Sequence, residues 1–196
     1  MREELRRGDL DADPLRQFER WYAEAAEAQD WVERTALATA DADGAPSLRM
    51  VLLKSFDERG LVFFTHYTSR KGRELAANPR AALLLHWASL GRQVRVEGRV
   101  ERVTAAESDA YFATRPRGAQ AGAAASRQSE VLASRDELDA RVAELDGVEI
   151  ARPETWGGFR VVPRAWEFWQ HRDDRLHDRF RYHRDDGEWV IERLYP

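Results

Sequence analysis

The sequence predicts a mainly β chain with peripheral helices, an α+β fold in which an antiparallel sheet curls into a closed barrel. Three observations lead there. Short apolar or alternating runs recur between turn signals such as Asp43-Gly44. A few helical segments with recognisable start signals interrupt them. No internal repeat, low-complexity linker or composition break divides the chain, so the helices must pack outside a single sheet. Of the 196 residues, 13–196 are read as one domain and the charged segment 1–12 as a mobile N-terminal segment.

Each element follows from local pattern. Asp13-Pro14 reads as an N-cap with proline at the first helical position, and Leu15, Phe18, Trp21, Tyr22 and Ala25 follow at helical spacing to about Gln29. Strands are expected at 35–40, 48–54 and 61–65, the first two joined through Asp43-Gly44. Ser69-Arg70-Lys71 opens a short helix that must stop near Asn78-Pro79. The run 81–87 is almost wholly apolar, as in a strand buried on both faces, whereas 93–103 alternates. Thr104 caps a helix reaching Tyr111 and Phe112, and residues 115–130, rich in Ala, Gly, Gln and Arg, show no period. Ser134 caps an amphipathic helix to Leu145 with Glu137 in the capping-box position. Strands at 156–162, 166–170, 180–183 and 189–193 form a second group.

Composition narrows function. The absence of cysteine excludes disulfides and thiolate metal sites. The five histidines (66, 86, 171, 177, 183) lack the paired spacing of zinc ligands, so no metal site is expected. No N-terminal stretch resembles a signal peptide and no run approaches the ~20 apolar residues of a membrane span, so a cytoplasmic protein without a membrane partner is expected. A net charge of −4 gives no general attraction to nucleic acid, so any anion site must be local. Gly-x-Ser-x-Gly, Gly-x-Gly-x-x-Gly and Walker-type motifs are missing. Of 31 basic residues only Lys54 and Lys71 are lysines. They are either chance survivors of an arginine-favouring bias or places where a compact, titratable ammonium is required.

Four clusters can carry chemistry. In Arg49-Met50-Val51-Leu52-Leu53-Lys54, strand alternation sends Arg49 and Lys54 to opposite faces; charges ending an edge strand are the ordinary alternative. Thr65 with Ser69-Arg70-Lys71 joins two cations to the free N–H groups of a helix start. Cations there oppose the helix dipole, which points to a bound phosphate, a merely charged surface turn being the alternative. Tyr111, Arg115-Pro116-Arg117 and Arg127-Gln128-Ser129 offer donors suited to a phosphorylated ligand, or form a solvated loop. Finally, alternation after Trp169-Gln170 aligns Arg175, His177 and Arg179 on one face. That row is repulsive unless an anionic, electron-accepting ligand sits on it; a polar edge strand is the alternative.

Taken in order, these clusters resemble the pyridoxine/pyridoxamine 5'-phosphate oxidase family, over nearly the whole chain from Asp13-Pro14-Leu15 onward. The most specific pieces are RMVLLK (49–54), SRK (69–71), RQVRVEG (92–98), YFATRPR (111–117), SRQS (126–129), WGGFRV (156–161), and EFWQ followed by RLHDRF (175–180). The resemblance implies a split antiparallel β-barrel, homodimeric, with FMN in clefts formed by both subunits. It places Arg49, Met50, Val51, Leu52, Lys54, Phe64, Thr65, Arg70, Lys71, Gln93, Gln128, Ser129, Trp169 and Arg179 at the flavin. Lys54, Tyr111 and Arg115 would hold the substrate phosphate, and Arg175 and His177 would face the pyridine ring as binding and catalytic residues. Both lysines fall on implied site positions.

The implied reaction is oxidation of pyridoxamine and pyridoxine 5'-phosphates to pyridoxal 5'-phosphate, with dioxygen as acceptor and hydrogen peroxide as product. The flavin carries the redox step and the protein orients and manages protons. A relative acting on another reduced ring, of the phenazine-biosynthesis type, is the alternative enzyme; a flavin or pyridoxal-phosphate carrier is the non-catalytic one. Three departures from the family pattern bear on the substrate more than on the flavin. Ala119 stands where a serine is usual, His171-Arg172-Asp173-Asp174 replaces a stretch that often contains glycine, and the N-terminal segment is short and lacks its usual Arg and Tyr.

Overall fold

The computed structural model describes residues 4–196. Asp13 accepts a hydrogen bond from the Leu15 N–H and Pro14 opens helix α1 (Pro14–Ala28). The helix buries Phe18, Trp21 and Ala25. Phe18 meets Phe56 edge-on at 4.9 Å between ring centroids and Trp21 meets Phe168 at 5.2 Å, so its aromatic stripe seats it on the sheet.

Among the described residues nine antiparallel strands follow: β1 (Arg34–Ala40), β2 (Pro46–Leu52), β3 (Ser55–Asp57), β4 (Gly60–His66), β5 (Arg80–Trp87), β6 (Arg92–Arg102), β7 (Trp156–Gln170), β8 (Asp178–Asp185) and β9 (Glu188–Arg193). Helices α2 (Arg70–Ala77), α3 (Ala105–Thr114), α4 (Arg117–Ala125) and α5 (Arg135–Ala143) interrupt them. The strand order is β2-β1-β5-β6-β7-β4-β3, with β8 added to β7 and β9 to β8. Its two ends, β2 and β3, are consecutive in the chain. Leu53 and Lys54 join them, Leu53 donating its N–H to the Glu33 carbonyl and Lys54 to that of Val62. The chain thus joins the two edge strands at a seam, but β2 and β3 do not pair with each other and the sheet stays open between them. The closed barrel read from the residues is corrected to a split one.

Strand β7 is where the barrel divides. Residues 156–161 pair with β4 and 165–170 pair with β8, while β6 runs along the other edge with a bulge between Glu97 and Gly98. A Cβ on Gly98 would lie 2.1 Å from the Val162 carbonyl oxygen, so only glycine permits this approach. The two strands expected here are one, bent where its partner changes. Leu37, Leu83, Leu85, Val94, Val96 and Val161 fill the interior.

Other expectations are revised. Strand β5 buries alternate residues only, because Ala82 and Leu84 face outward with the exposed His86. Residues 117–125 form a helix without an apolar period, since alanine needs none to be helical. Helix α5 is capped by Ser134 but has no fully buried residue, so its expected apolar face, with Leu138 and Val142 half-buried, is only partly covered. Residues 1–3 of the segment expected to be mobile lie outside the described residues. From residue 4 the segment is docked, with Leu5 and Leu10 buried, the Leu5 N–H on Asp178 Oδ2 at 3.1 Å and Tyr182 Oη donating to the Asp11 carbonyl at 2.8 Å. Among the described residues, no helix is long and apolar enough to cross a membrane.

Candidate active site

Strand β4 hands over to α2 through a tight turn. Ser69 donates to the His66 carbonyl at 2.7 Å and accepts from the Gly72 N–H at 3.3 Å. A Cβ on Gly72 would lie 2.2 Å from the Tyr67 carbonyl oxygen, so the turn closes only around glycine. The result brings Thr65, His66 and Lys71 into one cleft of about 670 Å³. The β2–β3 seam supplies Met50, Val51, Leu52 and Lys54 to its wall, and Gln128 joins from the loop after α4. Phe64, Tyr111 and Trp156 lie nearly parallel in the lining, Phe64 at 4.0 Å from Tyr111 and 5.4 Å from Trp156 between centroids. The Arg115 guanidinium sits over Trp156 at 4.7 Å.

The cleft is electropositive. Lys54, Lys71 and Arg115 line it, and among the described residues lining it there is no Asp or Glu. Lys71 Nζ donates to Thr65 Oγ1 at 3.1 Å and Gln128 Oε1 at 3.0 Å, neutral acceptors that leave its charge uncompensated. Burial, then repulsion from Arg49, pushes Lys71 down to about 8 against a partial pull upward from Glu74. Burial, then Lys71 and Arg115, lowers His66, which makes it a neutral imidazole at neutral pH. Burial raises Tyr111, so its phenol stays a donor. Arg115 Nη1 is buried without a hydrogen-bond partner.

Beside the cleft, the Arg70 N–H donates to Ser129 Oγ at 3.1 Å, and Ser129 takes the left-handed conformation with φ 76°. Arg49 and Arg70 both reach Glu74. The structure thus gathers Arg49, Met50, Val51, Leu52, Lys54, Phe64, Thr65, Arg70, Lys71, Tyr111, Arg115, Gln128 and Ser129 in or beside one cleft.

Gln93, Trp169, Arg175, His177 and Arg179 do not line it. Gln93 pairs with Trp169 and Trp169 with Arg179 across β6, β7 and β8, so these three share one sheet face. The His177 ring lies 4.6 Å from Trp169 and 5.3 Å from His171. Its Nδ1 accepts from the Arg172 N–H at 3.1 Å, which leaves Nε2 as the nitrogen free of that bond. Arg179 forks onto Glu167 at 3.0 and 3.1 Å and donates to the Tyr195 carbonyl at 3.0 Å. One expectation is corrected: Arg175 and His177 do not alternate with Arg179 on a strand, because β8 begins only at Asp178. Arg175 instead occupies a turn at φ 69°, a region costly for a side-chain-bearing residue.

Sequence reasoning passed over His66, Glu74, Trp156 and Glu167. Glu74 could have been found as the i,i+4 partner of Arg70. Nothing local marks His66, whose neighbours Lys71 and Arg115 come from other elements.

Residues 24–149 match the pyridoxamine 5'-phosphate oxidase family, and residues 156–196 the pyridoxine 5'-phosphate oxidase C-terminal dimerisation region. The chain is 54% identical to the pyridoxine/pyridoxamine 5'-phosphate oxidase of Thermosynechococcus vestitus, over 100% of this chain and 94% of that one. Identity to the same enzyme of Rubrobacter xylanophilus is 56%, over 95% and 88%. Among solved structures, PhzG from Burkholderia lata in complex with tetrahydrophenazine-1-carboxylic acid superposes with a TM-score of 0.93 at 38% identity, over 100% and 99% of the two chains. A pyridoxamine 5'-phosphate oxidase-related, FMN binding protein from Nostoc punctiforme shares the fold at a TM-score of 0.77 and 18% identity, over 94% and 98%.

Proposed function

The chain belongs to the pyridoxamine 5'-phosphate oxidase family, and we propose that it oxidises pyridoxamine and pyridoxine 5'-phosphates to pyridoxal 5'-phosphate, using FMN and dioxygen and releasing hydrogen peroxide. The observation that carries this reading is the cleft itself. It holds three cations, no carboxylate among its described lining residues, and one buried guanidinium nitrogen without a partner. Such a site is unfavourable empty and suits phosphorylated ligands.

FMN fits the α2 side. Lys71 with Arg49 and Arg70 would take its phosphate, and Thr65 and Gln128 offer neutral polar contacts next to Lys71. When bound, FMN supplies a two-electron acceptor for the hydride leaving C4' of the substrate and returns the electrons to dioxygen as hydrogen peroxide. The alcohol substrate loses that hydride and its hydroxyl proton; the amine loses a hydride and an N–H proton, and the resulting imine consumes water and releases ammonia. Lys54, Tyr111 and Arg115 would hold the substrate phosphate, the aromatic bed under Arg115 fixing its direction. Arg175 and His177 would meet the pyridine ring, with His177 Nε2 available to hold or move a proton at the substituent.

That last assignment requires a second subunit. The ring-facing residues lie apart from the cleft of their own chain, and residues 156–196, which carry most of them, match a dimerisation region. A homodimer in which each cleft meets the partner's 171–179 segment satisfies both observations. The cytoplasm is the compartment that this reading assigns. A second reading, oxidation of a reduced phenazine-type ring, draws on the likeness to PhzG and on Ala119 in the cleft lining. Steady-state assays of the FMN-loaded protein separate them. Peroxide release at undiminished rate over many turnovers with pyridoxamine 5'-phosphate is expected; turnover of tetrahydrophenazine-1-carboxylic acid alone would overturn the first reading.

A further inference from the structure

Beside the cleft, one buried carboxylate ties two arginines together. Glu74 on α2 is 6% exposed. Its Oε1 accepts from Arg70 Nε at 2.8 Å; its Oε2 accepts from Thr39 Oγ1 at 2.5 Å, Ser47 Oγ at 2.6 Å and Arg49 Nη2 at 3.1 Å. Arg49 is held further by Thr39 and Ser47 and by the Leu37 carbonyl at 3.3 Å. The bracing therefore spans β1, β2 and α2. Arg70 uses its Nε on Glu74 while its side chain remains 63% exposed.

Two arginines and Lys71 gathered at a helix start repel one another and oppose the helix dipole. A carboxylate placed among them removes much of that cost before any ligand arrives. We propose that Glu74 is a positioning residue of the phosphate site, holding Arg49 and Arg70 as a preassembled pair for the terminal phosphate of FMN. The inference rests on the FMN reading above. Two electrostatic observations support it. Burial pushes Glu74 up, but hydrogen bonds from Ser47, Thr39, Arg70 and Arg49 outweigh it and hold the group at about 2, so the charge persists at any working pH. Glu74 also raises Lys71, opposing the effect of Arg49.

The alternative is that Glu74 merely repels a phosphate that binds in spite of it. The two accounts predict opposite signs. Apoprotein is titrated with FMN and with riboflavin, which lacks the phosphate, by flavin fluorescence. Wild type is expected to prefer FMN strongly. Glu74→Gln keeps the size of the side chain and is expected to reduce that preference by about tenfold or more, the scale of one lost charge-assisted contact, with riboflavin affinity unchanged. Ser47→Ala removes one brace on an edge strand, keeps the charge, and is expected to reduce the preference by a few-fold. An unchanged or increased FMN preference in Glu74→Gln, or equal weakening of both flavins, overturns the proposal. Should Glu74→Gln fail to fold, Ser47→Ala decides in the same way. Absence of any FMN preference in wild type would instead refute the FMN reading on which the inference stands.

Discussion

The α2 corner and the 171–177 loop carry the two halves of the proposed site, and they are built in opposite ways. At the corner, Lys71 and Glu74 are buried, and β1, β2 and the 126–129 loop all reach in to brace the charged groups. In the loop, Arg175 is exposed at a left-handed φ, Leu176 is 64% exposed, and the His177 ring is held by one backbone N–H and by contacts with Trp169 and His171. A half-site for a fixed phosphate benefits from rigid preassembly within one chain. A half-site that meets a reacting ring gains its order from what covers it. Under the proposed reading, the corner would bind the cofactor and the loop would carry the substrate's proton chemistry.

The largest expected effect breaks or upholds that division. His177→Ala should lower the turnover number by about 100-fold, the usual scale for a lost proton-handling group, with FMN affinity nearly unchanged. Loss of FMN with normal turnover at saturating flavin would reverse the assignment of the two halves.

A pH experiment sharpens the corner's role. Free Lys71 titrates at about 8, and a phosphate beside it favours the ammonium form, so FMN binding takes up a proton above that pH. From about pH 7, where the FMN phosphate is already mostly dianionic, FMN affinity should hold steady to about pH 8 and fall above it, by at most about tenfold per pH unit, while riboflavin binding stays flat. A flat FMN profile to about pH 9.5 would remove Lys71 from the phosphate.

The smallest effect tests the boundary between the halves. Ala119 lines the cleft near Arg115, where a hydroxyl would donate to the substrate phosphate. Ala119→Ser should lower the Michaelis constant a few-fold with little change in turnover number, less than the roughly 1.5–3 kcal/mol of a full charged hydrogen bond because water can already serve. A raised Michaelis constant for pyridoxamine 5'-phosphate would indicate a pocket shaped for another ring.

The two regions also differed in how far they could be read from sequence. Local chemistry announced α1 through Asp13-Pro14, α3 through Thr104 and the SRK helix start, since caps and prolines act within a few residues. Helix α4 was missed because an Ala- and Gly-rich stretch carries propensity without a period. Strand β7 was divided in two because its partner strand changes between Val161 and Ala165. Arg175 was placed on a strand by alternation, a rule that lapses where the chain turns. Glu74 acquires its role from Thr39, Ser47 and Arg49, residues distant in sequence, and stayed out of view until the fold joined them.

The central claim, that one working site takes its phosphate corner from one subunit and its ring-facing loop from the other, is open to complementation. At an FMN concentration that fills the wild-type corner but not the Lys71→Ala one, Lys71→Ala lacks the corner and His177→Ala lacks the loop, so each homodimer should be nearly inactive. In a heterodimer, one site combines both lesions and the other combines the intact corner of one chain with the intact loop of its partner. Mixing the two variants in equal amounts, with subunit exchange, should restore peroxide formation from pyridoxamine 5'-phosphate to about a quarter of the wild-type level, since half the dimers are mixed and half their sites intact. No recovery after verified exchange would mean that both halves of each site come from a single chain, contradicting the account.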